Sequence, residues 1–144
     1  MPAVKRFQVT FDCIQPERVA RFWCEALGYV IPSPSGEFAT WEDYRRTLPP
    51  EEQDSWCACV DPSGAGPRLY FQRVPESKVV KNRVHLDSRV GTGLKGEERL
   101  AVLEAERARL EAQGATHAYT LYADEQNESC IVMQDVEGNE FCLT

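Results

Sequence analysis

Alternation of apolar and polar residues opens the chain. In RFQVTFDC, Phe7, Val9 and Phe11 fall on one side and Gln8, Thr10 and Asp12 on the other, as expected of a strand with one buried face. The next segment, QPERVARFWCEALGY, changes period: Val19, Phe22, Trp23, Ala26 and Leu27 recur at steps of three and four residues. Pro16 suits the first turn and Gly28 the left-handed stop, so a helix is predicted between them. From Tyr29 to Gln53 the pattern breaks down. IPSPSGE reads as a breaker and FATW as a short strand, with Trp41 and Tyr44 on a loop able to cap a cleft. WCACVD and RLYFQRV follow as strands joined by the turn-forming PSGAGP. In the second of them Leu69 and Phe71 face one way, Tyr70 and Gln72 the other.

KNRVHLDSRV restarts the sequence of elements. As a strand it puts Val84 and Leu86 on one face and Arg83, His85 and Asp87 on the other. EERLAVLEAERARLEAQG is rich in helix formers and stopped by Gly114; Leu100, Leu103 and Leu110 share a side that Arg107 interrupts. HAYTLYA, CIVMQDV and NEFCLT then read as three strands. The order strand, helix, three strands therefore occurs twice, and each copy ends with a D-x-x-G turn before its last strand, Asp61 to Gly64 and Asp135 to Gly138. The expected architecture is α+β: a single domain over residues 1–144, made of module 1 (1–74), a linker (75–81) and module 2 (82–144). Each module would lay a helix on one face of a mixed sheet, the opposite faces curving around a shared cleft. Gln8, Gln72, His85 and Glu140 would line that cleft, and Tyr70, Trp41, Tyr44 and Trp56 would serve as its ligand-binding walls.

Charge narrows the partners. The net charge is −7 and the isoelectric point about 4.9, which disfavours nucleic acid and anionic membrane and suits a small molecule, a cationic one on net charge alone. No apolar run reaches the roughly 20 residues of a membrane span, and MPAVKRFQVTF lacks the apolar segment of a signal peptide, so the expected location is cytoplasmic. The six cysteines, 13, 24, 57, 59, 130 and 142, lack zinc-knuckle spacing and read as small buried apolar residues. Taken alone, His85 is more often a solvated or locally paired strand histidine than a ligand.

PERVARFWCEALG after an alternating strand, LYFQRVPESKVVKNRVHLD, and the terminal DVEGNEFCL together resemble the vicinal oxygen chelate superfamily, and in particular its small glyoxalase-like domains. The resemblance implies two βαβββ modules, a homodimer, and a divalent metal (Ni, Zn, Mn or Fe) held by Gln8, Gln72, His85 and Glu140; no nucleotide cofactor is implied. Gln72 would stand where glyoxalase I has a Glu, and an amide cannot accept the substrate proton. Fe(II) dioxygenase chemistry needs a second His, and His117 has no matching position. Both of those activities are disfavoured. Two readings stay open: a metal-assisted lyase or isomerase with Glu140 and His85 as catalytic residues, and a non-catalytic drug- or metabolite-sequestering protein of bleomycin-resistance type. Without a metal, Glu140 beside His85 would favour the imidazolium.

Overall fold

A computed structural model describes residues 1–144 as two compact units, Met1–Ser77 and Lys78–Thr144. The first begins with β1 (Gln8–Cys13) and α1 (Pro16–Leu27). Gly28, at φ 70°, closes α1 with its N–H on the Cys24 carbonyl. A five-residue helix, α2 (Trp41–Arg45), and a 3₁₀ turn (Pro50–Glu52) lead to β2 (Trp56–Cys59) and β3 (Arg68–Arg73). The sheet order is β1-β3-β2, with β1 parallel and β2 antiparallel to β3. α1 covers one face: Val19, Ala20 and Trp23 are buried against Leu69, Phe71, Cys57 and Cys59, and Phe11 packs between Trp23 and Phe71 at ring-centroid distances of 5.2 and 5.1 Å.

The expected strand at FATW does not form. Thr40 there is the N-cap of α2 and accepts the Asp43 N–H at 3.1 Å, while Glu42 and Asp43 place negative charge in the first turn. The strand of this repeat survives as a single bridge, in which Val30 and Val60 exchange both backbone hydrogen bonds at 2.9 and 2.8 Å.

The second unit contains β4 (Asp87–Ser88), α3 (Gly96–Ala112), β5 (Thr116–Leu121), β6 (Cys130–Gln134) and β7 (Glu140–Leu143), with sheet order β4-β7-β6-β5. Leu103 and Leu110 of α3 are buried with Ile131, Met133, Phe141 and Leu143. Arg107, which interrupts the apolar stripe, bonds to Glu104 and Glu111 along the helix surface at 2.6 and 2.5 Å. Both D-x-x-G turns form alike: Gly64 N–H donates to the Asp61 carbonyl and Gly138 N–H to the Asp135 carbonyl, at 2.9 and 3.0 Å. In each, the Asp side chain also accepts the N–H two residues on.

Two expectations for the buried faces are corrected. Phe7 is 70% exposed because β1 starts only at Gln8, and Val84 is 80% exposed because the chain around it is not in a strand. The Asn82 N–H is spent on the Glu140 carboxylate, so the ladder with β7 begins only where the Leu86 carbonyl accepts the Cys142 N–H. Equivalent ladder positions can now be matched between the units. Gln8 lies opposite Arg68 and Thr10 opposite Tyr70; in the second unit Asp87 lies opposite Cys142 and Ser88 opposite Leu143.

Candidate functional site

In the first unit, the sheet face left uncovered by α1 presents Gln8, Thr10, Asp12, Arg68, Tyr70, Gln72 and Trp56. Gln8 and Gln72 share this face but not a location: they sit four residues apart along the β1–β3 ladder, about 13 Å at strand rise. Each is already engaged. Arg68 donates to Gln8 Oε1 at 2.7 Å, and the Gln72 amide donates to Asp12 at 2.7 Å. By register Arg68, not Gln72, lies opposite Gln8, so the neighbour of that expected metal donor is a cation.

The four aromatic wall candidates do come together. Trp56 stacks on Tyr70 at 5.7 Å and 18°, Trp41 meets Trp56 edge-on at 5.3 Å, and Tyr44 meets Trp41 at 5.8 Å. Their assembly is closed, since the hollow that Trp41, Tyr44 and Trp56 border has room of about 10 Å³, enough for one water. These rings pack mainly on each other, and the Trp41 indole N–H is satisfied by the Pro32 carbonyl at 2.7 Å. Trp41, alone of the four, also borders an open hollow of about 590 Å³ with Glu17, Arg21, Thr40 and Arg45, and a second, of about 570 Å³, lies beside the start of β1, lined by Lys5, Arg6, Phe7, Asp61, Arg68 and the Gly64–Pro67 turn. Its size falls within the range of small-ligand sites. The Arg68 guanidinium reaches it while lying 5.4 Å from the Tyr70 ring centre. Asp61 is committed to its turn, accepting from the Ser63 hydroxyl and N–H and from the Gly66 N–H at 2.7 Å each; these bonds hold its carboxyl below the usual range.

In the second unit, Glu140 is largely buried, with 11% of its side chain exposed, and both of its oxygens are taken. Lys78 donates to Oε1 at 2.9 Å and the Asn82 N–H to Oε2 at 3.1 Å. Burial pushes this carboxyl up, but the Lys78 ammonium and the backbone donors outweigh it and leave the group below its ordinary value. His85 turns elsewhere: its Nε2 lies 3.3 Å from Asp87 Oδ1, and donor atoms of His85, Asp87 and Cys142 lie within 4.8 Å of one another. Burial, together with Cys130 and Asp87, pushes the Cys142 thiol up to about 12.

The donor set implied by the resemblance therefore fits a divalent metal poorly. Its only carboxylate is neutralised by an ammonium, and its two amides are separated and bonded to other side chains. Lys78 and Arg68 escaped the sequence reading, which placed Asp87 on the His85 face and took Cys130 and Cys142 for apolar filling without bringing the three together; all but Lys78 lie on strands, at positions where alternation reveals the face but not the partner.

Two β-sheet modules of this topology, each backed by one helix, define the vicinal oxygen chelate class. The model of the glyoxalase-like domain matches residues 8–144, and the chain belongs to that family. No protein of curated function matches it by sequence. Among solved structures, the chain is similar to the E126Q mutant of the fosfomycin resistance protein FosX from Listeria monocytogenes, complexed with Mn(II) and 1S,2S-dihydroxypropylphosphonic acid. The TM-score is 0.63 at 12% identity, over 99% of this chain and 90% of that one. A glyoxalase/bleomycin resistance protein/dioxygenase family enzyme from Burkholderia phytofirmans PsJN gives a TM-score of 0.59 at 13% identity over 94% of each chain. Protein ATC0852 from Agrobacterium tumefaciens gives 0.62 at 14% identity over 98% of this chain and 96% of that one. At these identities the likeness is one of fold. No helix is long and apolar enough to cross a membrane.

Proposed function

We propose that this chain binds a small organic anion, and that it does so as a sequestering protein, not as a metal-assisted lyase. The observation that carries the proposal is the hollow beside β1. Lys5, Arg6 and Arg68 give it three cationic side chains against the single, already bonded carboxylate of Asp61. The acidic whole-chain balance argues for a cationic ligand only on average; at this spot the local charge has the opposite sign, and local charge governs a contact of a few ångströms. Phe7, Val60 and Pro67 offer apolar surface to the ligand's carbon skeleton. The phosphonic acid bound by the FosX mutant is one example of the ligand chemistry meant.

The non-catalytic reading rests on the acid–base inventory. Proton abstraction beside a carbonyl needs a free carboxylate or imidazole within hydrogen-bond reach. Among the residues lining the hollow, Asp61 is the one carboxylate and is bonded within its turn, and no imidazole is present. The test is a thermal-shift and calorimetric screen of phosphonates, sugar phosphates, dicarboxylates and thiol-adduct carboxylates against cationic antibiotics. Organic anions should raise Tm, with binding weakened by salt and about tenfold or more by Arg68→Ala. A preference for cationic ligands, or turnover of any bound anion, would contradict the proposal.

A further inference from the structure

Four side chains of the second unit converge beyond the position of Glu140. Asp87 and Cys142 face each other across the β4–β7 ladder. His85, two residues before Asp87, brings its Nε2 to 3.3 Å from the Asp87 carboxylate. The Cys142 thiol lies within 4.8 Å of that carboxylate and of the imidazole, and Cys130, which β6 places on the same side of the sheet, adjoins it. Imidazole, carboxylate and the Cys142 thiol thus meet at one point, with the Cys130 thiol beside that of Cys142. An exposed His–Asp ion pair is common and needs no further role. Two thiols set against that pair are less common, because cysteines that serve only as apolar filling have no reason to gather around a carboxylate and an imidazole.

We propose that His85, Asp87, Cys130 and Cys142 form a binding site for a thiophilic divalent cation of the Zn(II) class. Donors at about 2.0–2.3 Å from a tetrahedral metal lie about 3.3–3.8 Å apart. His85, Asp87 and Cys142 already have donor atoms within 4.8 Å of one another, and Cys130, one strand over on the same face, joins them by a change of rotamer. Sulfur and imidazole select Zn(II) over Mn(II) or Mg(II), which favour oxygen. This separates the site from the Gln8, Gln72, His85 and Glu140 set: Glu140 stays with Lys78 and takes no part. With four protein donors the coordination sphere is closed, which is the mark of a structural site. Binding displaces the two thiol protons to solvent and ties the two-residue β4 to β6 and β7.

The site is independent of the proposed anion hollow, since all four residues belong to the second unit and the test uses metal alone. The full chain, kept reduced, is titrated with Co(II) and then with Zn(II). The expected result is one Co(II) per chain with a sulfur-to-cobalt charge-transfer band, displaced by Zn(II), and a Tm raised by Zn(II). Cys142→Ser should weaken uptake by more than the roughly 10–100-fold typical of residues that only support a ligand. Cys130→Ser should halve the band, and Glu140→Gln should leave both band and uptake unchanged. Circular dichroism and gel filtration establish that each variant is folded, with Asp87→Asn as a second, milder probe of the same site. Absence of uptake would overturn the proposal. So would uptake without the sulfur band, or uptake lost in Glu140→Gln and retained in Cys142→Ser.

Discussion

Replacing Lys78 with Met removes the ammonium from Glu140 while keeping most of the aliphatic stem. The carboxylate then stays largely buried with only the Asn82 N–H as partner. Fully buried pairs lose about 3–5 kcal/mol when one member is removed, and exposed pairs about 0–1 kcal/mol. With side-chain exposures of 19% for Lys78 and 11% for Glu140, this pair lies between those limits, and a loss of about 2 kcal/mol at neutral pH is expected. For a chain of this size that lowers Tm by about 4–8 °C. The pH dependence gives a second check. In the native protein the Glu140 carboxyl titrates below its ordinary value, so its stabilisation is present above the ordinary carboxylate range and is lost as pH falls through the folded value. The gap between native protein and Lys78→Met should therefore narrow steadily as pH falls through the ordinary carboxylate range towards the lower native value. Differential scanning calorimetry from pH 7 to pH 3 measures it, with Lys78→Arg expected to keep most of the native stability. A gap that is absent at pH 7, or unchanged at pH 3, would refute the reasoning.

Three further outcomes follow from packing and caps. A Cβ at Gly66 would meet Tyr29 Oη at 2.3 Å, so Gly66→Ala should cost about 1–3 kcal/mol in chemical denaturation, and much less when Tyr29 is also changed to Phe. Leu110→Ala should lose about 2–5 kcal/mol, because Leu110 is fully buried under the second sheet and leaves a cavity. Thr40→Ala removes the cap of α2 and should cost about 1 kcal/mol; the readout is faster proteolytic cleavage near residues 40–46, with cleavage inside α1 unchanged.

Much of the fold was legible because its signals are local. The alternation of β1, the 3.6-residue stripe of α1 with Pro16 and Gly28 at its ends, and the paired D-x-x-G turns each declare themselves within a few residues. The failures had local causes too. At FATW, Thr40 with two acids behind it makes a better helix start than a strand. At KNRVHLD, the Asn82 N–H bonds to a side chain 58 residues away, which no local pattern announces.

The candidate site was legible in one dimension only. Side chains in a strand repeat every two residues, so Arg68, Tyr70 and Gln72 are equivalent by pattern, as are His85 and Asp87, or Glu140 and Cys142. Within the strands that form, pattern named the face, while register chose the neighbours: Arg68 for Gln8, and Cys142 for Asp87. The aromatic walls show a related limit. Trp41, Tyr44, Trp56 and Tyr70 do gather, but only coordinates reveal that they pack on one another, and that room opens beside Trp41 and Arg21 and, separately, beside Phe7 and Arg68.

The central claim is that an organic anion docks beside the start of β1. Amide chemical-shift mapping tests it most directly, with a short-chain phosphonate titrated into isotopically labelled protein. The account predicts saturable shifts concentrated at Arg6, Phe7, Gly64, Gly66 and Arg68, abolished in Arg68→Ala. Shifts centred on Lys78, Asn82 and Glu140, or none anywhere at millimolar ligand, would contradict it.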